Sequence, residues 1–156
     1  MKKILMLMAI ATTIFTACKK SDDAPAQLDV TAANIAGVYK LTGVISVEGG
    51  VTYDRFNGGT VGGLAYPSDY KACEKDDTFT FTASGNVTSA EGATSCTPPT
   101  ASQTAAYTVQ TSTKTLSIPM FGLSGTIESL TSAGMVLKQT SSFGGVTTVE
   151  TYTFSR

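Results

Sequence analysis

The chain has 156 residues, with 11 basic and 12 acidic side chains, three cysteines, and neither histidine nor tryptophan. The lack of His excludes most zinc sites, imidazole-ligated haem, and Ser-His or Cys-His catalysis, and the near-neutral charge gives no electrostatic reason to expect nucleic acid. Charged residues make up 15 % where about 25 % is usual. Much of the gap is filled by 26 threonines, a β-branched residue suited to a half-exposed pleated face.

The first segment is an address. Met1-Lys2-Lys3 is positive, and residues 4–15 are apolar, too short for the about 20 residues of a membrane-spanning helix but right for a signal peptide. The stretch ends in Phe15-Thr16-Ala17-Cys18, which resembles the lipobox of bacterial lipoproteins, whose cysteine receives a diacylglyceryl thioether. The expectation is a lipoprotein signal peptide over 1–17, a lipidated Cys18 with a flexible tether over 18–33, and a folded domain over 34–156. The alternative is an ordinary secretory signal cleaved after Ala17, which would leave an exposed thiol outside the cytoplasm, a liability there. Two or more acyl chains anchor stably, at ~0.8 kcal/mol per buried CH₂. Removing Lys2 and Lys3 with the signal leaves 9 basic residues against 12 acidic, a formal −3. Lys19-Lys20-Ser21-Asp22-Asp23 is similar to the surface-export signal of Bacteroidetes-type lipoproteins. Together these place the chain at the outer membrane, lipid-anchored and facing the cell surface, with the periplasmic face as the alternative.

One helical turn is expected near Thr31 to Ala36, and strands follow. Gly37 to Val47 alternates, with Tyr39, Leu41, Ile45 and Val47 on one face and Lys40, Thr42, Ser46 and Glu48 mostly on the other. Thr78 to Thr82 alternates Thr with Phe79 and Phe81, and Ser84-Gly85 reads as a two-residue hairpin turn into Asn86-Val87-Thr88. Further runs are 107–109, 116–118, 126–130, 135–139 and 146–154, separated by polar or Gly-containing turns such as Gly144-Gly145. Asn86-Val87-Thr88 fits the N-glycosylation pattern, but a bacterial lipobox makes it a turn. About eight short strands at even spacing imply an all-β fold, a sandwich or an antiparallel barrel. Few lysines guard the strands and only Pro119 interrupts one, so closure into an up-and-down barrel is the better reading. An eight-stranded barrel is either filled by side chains or holds one small ligand.

Gly37-Val38-Tyr39-Lys40-Leu41, the run from Cys73 to Phe81, Gly85-Asn86-Val87, Ile127 to Ser132 and Thr151-Tyr152-Thr153-Phe154 carry a resemblance to the small lipocalin-like lipoproteins of Bacteroidetes-type bacteria, over roughly Asn34 to Arg156. The resemblance implies a β-barrel and no defined ligand. It sets Tyr39 where lipocalins place the first-strand aromatic that plugs one end of the barrel.

Cys73 and Cys96 are left after the lipid site, and in an oxidising compartment they are expected to pair. If Ala83 faces Asn86 across the Ser84-Gly85 turn, ten residues further along each strand the same register brings Cys73 opposite Cys96. Such a loop contributes roughly 3 kcal/mol.

Three other patterns invite chemistry. Ser68-Asp69-Tyr70-Lys71 matches Ser-x-x-Lys but lies in a Gly- and Pro-rich loop without the partner motifs. Glu74, Asp76 and Asp77 cluster without calcium-loop spacing and with Lys75 among them, which reads as a solvated loop. Gly49-Gly50, Gly58-Gly59 and Gly62-Gly63 punctuate a segment carrying Tyr53, Phe56, Leu64, Tyr66 and Tyr70, with no Lys-Ser/Thr for phosphate. That segment is either a flap presenting aromatics at a barrel mouth or a loop packed on the barrel.

Two functions remain open. In one, the barrel holds a small apolar ligand, lined by Tyr39, Leu41, Phe79, Phe81, Tyr152 and Phe154 and approached by Tyr53, Phe56, Tyr66 and Tyr70. In the other, the 49–71 loop binds an envelope protein, as an inhibitor or accessory subunit would. An enzyme is not expected, nor is any metal or cofactor.

Overall fold

A computed structural model describes residues 25–156; the expected signal segment and the Cys18 lipid site lie outside the described residues. The strands are β1 (Gly37–Glu48), β2 (Val51–Asp54), β3 (Gly59–Val61), β4 (Leu64–Tyr66), β5 (Thr78–Phe81), β6 (Asn86–Ala90), β7 (Gln103–Ala106), β8 (Thr108–Gln110), β9 (Thr115–Ile118), β10 (Leu123–Thr131), β11 (Gly134–Phe143) and β12 (Val146–Ser155). One helical turn, α1 (Ala32–Ile35), precedes them, and 3-10 turns lie at Ala72–Glu74 and Pro119–Phe121. The Thr31 hydroxyl caps α1 by accepting the Asn34 N–H at 3.2 Å.

The main sheet runs in the order β7-β6-β5-β1-β12-β11-β10-β9-β8, all antiparallel. Its two edges, β7 and β8, are separated in the chain by Tyr107 alone. One interrupted strand therefore pairs with β6 through its first half and with β9 through its second, and the sheet is nearly closed. If β7 and β8 count as one stave, eight staves form an up-and-down barrel, the architecture expected from the strand spacing. Closure removes the edges that a sheet with so few lysines would otherwise expose. The connection from β1 to β5 is the long one: β2 pairs back onto β1, and β3 and β4 form a separate hairpin. These three strands lie in the segment expected to be a flap or a packed loop.

Two details of register differ from the sequence reading. β1 carries a bulge between Leu41 and Gly43, and an extra residue reverses which side chains face inward beyond it. Tyr39 and Leu41 are buried as expected, but past the bulge Val44 and Ser46 turn inward, leaving Ile45 and Val47 on the outer surface. In the second case, Thr82 faces Asn86 around a three-residue turn, with Gly85 left-handed at φ 86°, and the ladder pairs Phe81 with Val87. A three-residue loop with a left-handed glycine is the next commonest hairpin connection, and it moves the register by one residue. β10 repeats the bulge between Ile127 and Ser129, so Ile127 and Leu130 both point inward although they are three residues apart.

One end of the barrel is closed. Tyr39 is fully buried there, its ring edge-on to Phe81 and Phe154 at centroid distances of 5.5 and 6.5 Å. Its hydroxyl donates to the Ile35 carbonyl at 2.9 Å, and the Tyr107 hydroxyl donates to the Thr82 carbonyl at 2.7 Å. The Arg156 guanidinium lies 4.8 Å from the centre of the Tyr39 ring and donates to the Asn34, Ile35 and Ala36 carbonyls, serving acceptors that a helix end leaves open. Packed chain begins at Leu28, before the expected start at residue 34: its N–H donates to the Leu130 carbonyl at 2.7 Å, and Val30 is buried.

Candidate functional site

At the other end the staves are joined by loops, and the interior is not filled. A cavity of about 180 Å³ lies between the aromatic floor and the loops. Leu41 from β1, Phe79 and Phe81 from β5, and Tyr152 and Phe154 from β12 supply one side, as the alternation of those strands dictates. Tyr70 from the loop before β5 reaches over it. Phe79 stacks edge-on against Phe154 at 6.0 Å and Phe121 at 6.5 Å, so the wall is a set of interlocked rings.

Six of the ten expected ligand-contacting residues therefore share this cavity: Leu41, Phe79, Phe81, Tyr152, Phe154 and Tyr70. Four do not. Tyr39 is the floor behind it, with its hydroxyl consumed by Ile35. Phe56 is buried and backs Tyr70 at 5.3 Å, one ring removed from the space. Tyr53 and Tyr66 stack on each other at 5.5 Å within the β2–β4 excursion, where the Tyr66 hydroxyl accepts the Asp54 N–H at 2.8 Å and Arg55 covers Tyr53 at 4.9 Å. They pack on each other inside that excursion, while its Phe56 packs into the core.

Ile118, Phe121 and Leu123 also line the cavity; Ile118 follows the alternation of β9 with Leu116, whereas Phe121 and Leu123 escape such a reading. Pro119 breaks the strand, and the 3-10 turn it starts folds Phe121 inward while Met120 stays exposed. The signal was the Pro-Met-Phe-Gly run itself, since Pro favours the first position of a helical turn and Gly its end.

The loops that frame the mouth are fixed by a disulfide and by carboxylates. Cys73 and Cys96 are bonded, with Cα atoms 5.2 Å apart. The proximity expected from the hairpin is right although its register was not, because both cysteines lie beyond the paired residues, where loops absorb the one-residue difference. The Asp76, Asp77 and Glu91 carboxylates accept backbone N–H groups of the 91–102 loop: Thr94 on Asp76 at 2.9 Å, Gly92 on Asp77 at 3.2 Å, and Cys96 and Thr100 on Glu91 at 3.1 and 2.6 Å. The Thr94 N–H holds Asp76 below the usual carboxylate range and the Thr100 N–H does the same to Glu91, while burial pushes Asp77 up. Among the described residues no group of three or more His, Cys, Asp or Glu side chains could hold a metal ion. The Ser68 hydroxyl is a loop tie that bonds to the Phe56 and Tyr70 carbonyls and accepts the Tyr70 N–H, and Lys71 pairs with Glu74 at 3.6 Å.

Above the apolar cavity the inner face becomes polar. Buried Ser46 is followed by Glu48, which binds Arg55 at 2.5 Å, and Arg55 also meets Asp69 at 3.7 Å. On β12 the Tyr152 hydroxyl donates to Glu150 Oε2 at 2.8 Å. Burial raises the Tyr152 and Tyr70 phenols, and nearby Glu150 raises both further, so each stays a neutral hydroxyl at physiological pH. No family model matches this chain, and no curated protein or solved structure does.

Proposed function

We propose that this chain is a non-catalytic, lipid-anchored lipoprotein of the outer membrane that holds a small apolar molecule inside a lipocalin-like barrel. The observation that carries this reading is the ring-lined space of about 180 Å³ at the one end the fold does not plug. Ligand sites are typically concave, mostly apolar and furnished with a few convergent polar groups. Here those groups are the Tyr70 and Tyr152 hydroxyls. The anchor rests on the sequence around Cys18, and the outer-membrane address on the charged residues after it.

Native mass spectrometry of the protein released from outer membranes tests the binding. A stoichiometric small-molecule adduct, lost on organic denaturation, is expected. A bare barrel that also takes up no apolar probe would overturn it and turn attention to the 49–71 segment, where Leu64 is 77 % exposed. Labelled palmitate is expected to enter the wild type and not Cys18→Ala; label in both would remove the anchor.

A further inference from the structure

Glu150 makes no ion pair among the described residues, and unlike the mouth-loop carboxylates Asp76, Asp77 and Glu91 it is not occupied by backbone N–H groups. It lies two residues from Tyr152 on β12, hence on the same inward face, and opposite Ser46 on β1 and Gln139 on β11. One of its oxygens accepts the Tyr152 hydroxyl; the other has no hydrogen bond among the described residues. The neighbouring charges are already engaged. Arg55 lies near enough to feel the Glu150 charge but bonds to Glu48 and Asp69, Lys71 pairs with Glu74, and Lys75 sits 5.1 Å over the Phe56 ring. Gln139 is turned away, accepting the Ser124 N–H at 2.8 Å. Tyr70, which lines the cavity, has no hydrogen bond from its hydroxyl among the described residues.

We propose that the ligand of this cavity is a compact amine, its apolar body seated among Phe79, Phe121 and Phe154 and its ammonium group held by Glu150. The inference rests on the cavity-binding reading and adds the ligand's charge and size. An apolar cavity of about 150 Å³ accommodates one benzene ring, so the space here suits a body of about one ring. A carboxylate at the rim attracts an ammonium group and repels an anion. The Tyr hydroxyls can accept its remaining N–H groups.

The test is calorimetric titration of the full chain in a nonionic detergent with three probes of similar shape: 2-phenylethylamine, ethylbenzene and 3-phenylpropionate. The same series is run on Glu150→Gln, which keeps shape and removes charge and controls for partitioning into micelles. The amine is expected to bind at least about tenfold more tightly than the carboxylate, one decade corresponding to 1.4 kcal/mol. In Glu150→Gln that ratio should fall to within about twofold, with ethylbenzene unchanged. If ethylbenzene binds but the amine has no advantage, or keeps it in Glu150→Gln, the amine inference is overturned and the cavity reading stands. If none of the three binds, the cavity reading itself falls and takes this inference with it.

Discussion

The two ends of the barrel use the same residue type for opposite purposes. At the closed end, the Tyr39 and Tyr107 hydroxyls donate to backbone carbonyls, and Arg156 covers the Tyr39 ring while tying the chain terminus to α1. Both tyrosine hydroxyls there and the Arg156 guanidinium have backbone partners, so the aromatics act as a plug. At the open end, the Tyr152 hydroxyl meets a side-chain carboxylate and Tyr70 lines the cavity. Backbone carbonyls are fixed acceptors, whereas a carboxylate at a rim can be shared with an incoming group. The closed end joins its strands by short turns, whereas the open end combines the β11–β12 hairpin with long loops held by a disulfide and by carboxylate-to-backbone hydrogen bonds. Stability is thus expected to reside at one end and adaptability at the other.

The sharpest break of that contrast is Tyr39→Ala, which should cost about 4 kcal/mol in urea denaturation, as removal of a fully buried aromatic does; a loss near 1 kcal/mol would mean the closed end is no plug. Replacing both Cys73 and Cys96 with Ser should remove about 3 kcal/mol, with amide exchange rising first in residues 91–102. Uniform loosening would contradict a role confined to the mouth. Phe79→Ala should cost less than Tyr39→Ala, about 2 kcal/mol, because its ring already borders open space, and equal costs would erase the distinction.

Acid should act on the mouth loops before the barrel. Asp76 and Glu91 have carboxyl pKa values lowered by folding, so their contribution is full above the ordinary carboxylate range and is lost as pH falls through their depressed values. Asp77, raised by burial, opposes this, since its contribution is present at low pH and lost as pH rises through its raised value. Exchange of the Thr94, Cys96 and Thr100 amides, corrected for intrinsic rate, should therefore accelerate relative to the barrel between pH 7 and pH 3. Equal protection at both pH values would show that these carboxylates do not hold the loop. The smallest effect is expected at Phe143, 92 % exposed at the tip of the β11–β12 hairpin: Phe143→Ser should stay within about 0.5 kcal/mol, and a larger loss would reveal packing at the tip.

Much of the barrel could be read directly from the chain. Alternating Thr and Phe at 78–82, the Gly-Gly pairs at 49–50 and 144–145, and even strand spacing all report local preferences, which act over a few residues. The first of those pairs has φ of 56° and 84°, a conformation that glycine adopts without strain. The β2–β4 excursion was legible only as a Gly-rich segment with aromatics, because strands of three or four residues carry too little alternation to announce themselves. Leu41, Phe79, Phe81, Tyr152 and Phe154 could be nominated for the interior from alternation alone.

Composition and local pattern determined that this chain would make an all-β barrel, that β5–β6 and β11–β12 would be hairpins, and that Cys73 and Cys96 would meet. Tertiary structure decided the rest: that the bulge at Leu41 and Gly43 turns Val44 and Ser46 inward, that Tyr39 plugs while Tyr70 lines, and that Phe121 joins the cavity from a proline turn. Local preference specifies which face of a strand is apolar. Only closure of the sheet determines how much of the enclosed volume those side chains fill, since that depends on register and bulges summed around every stave.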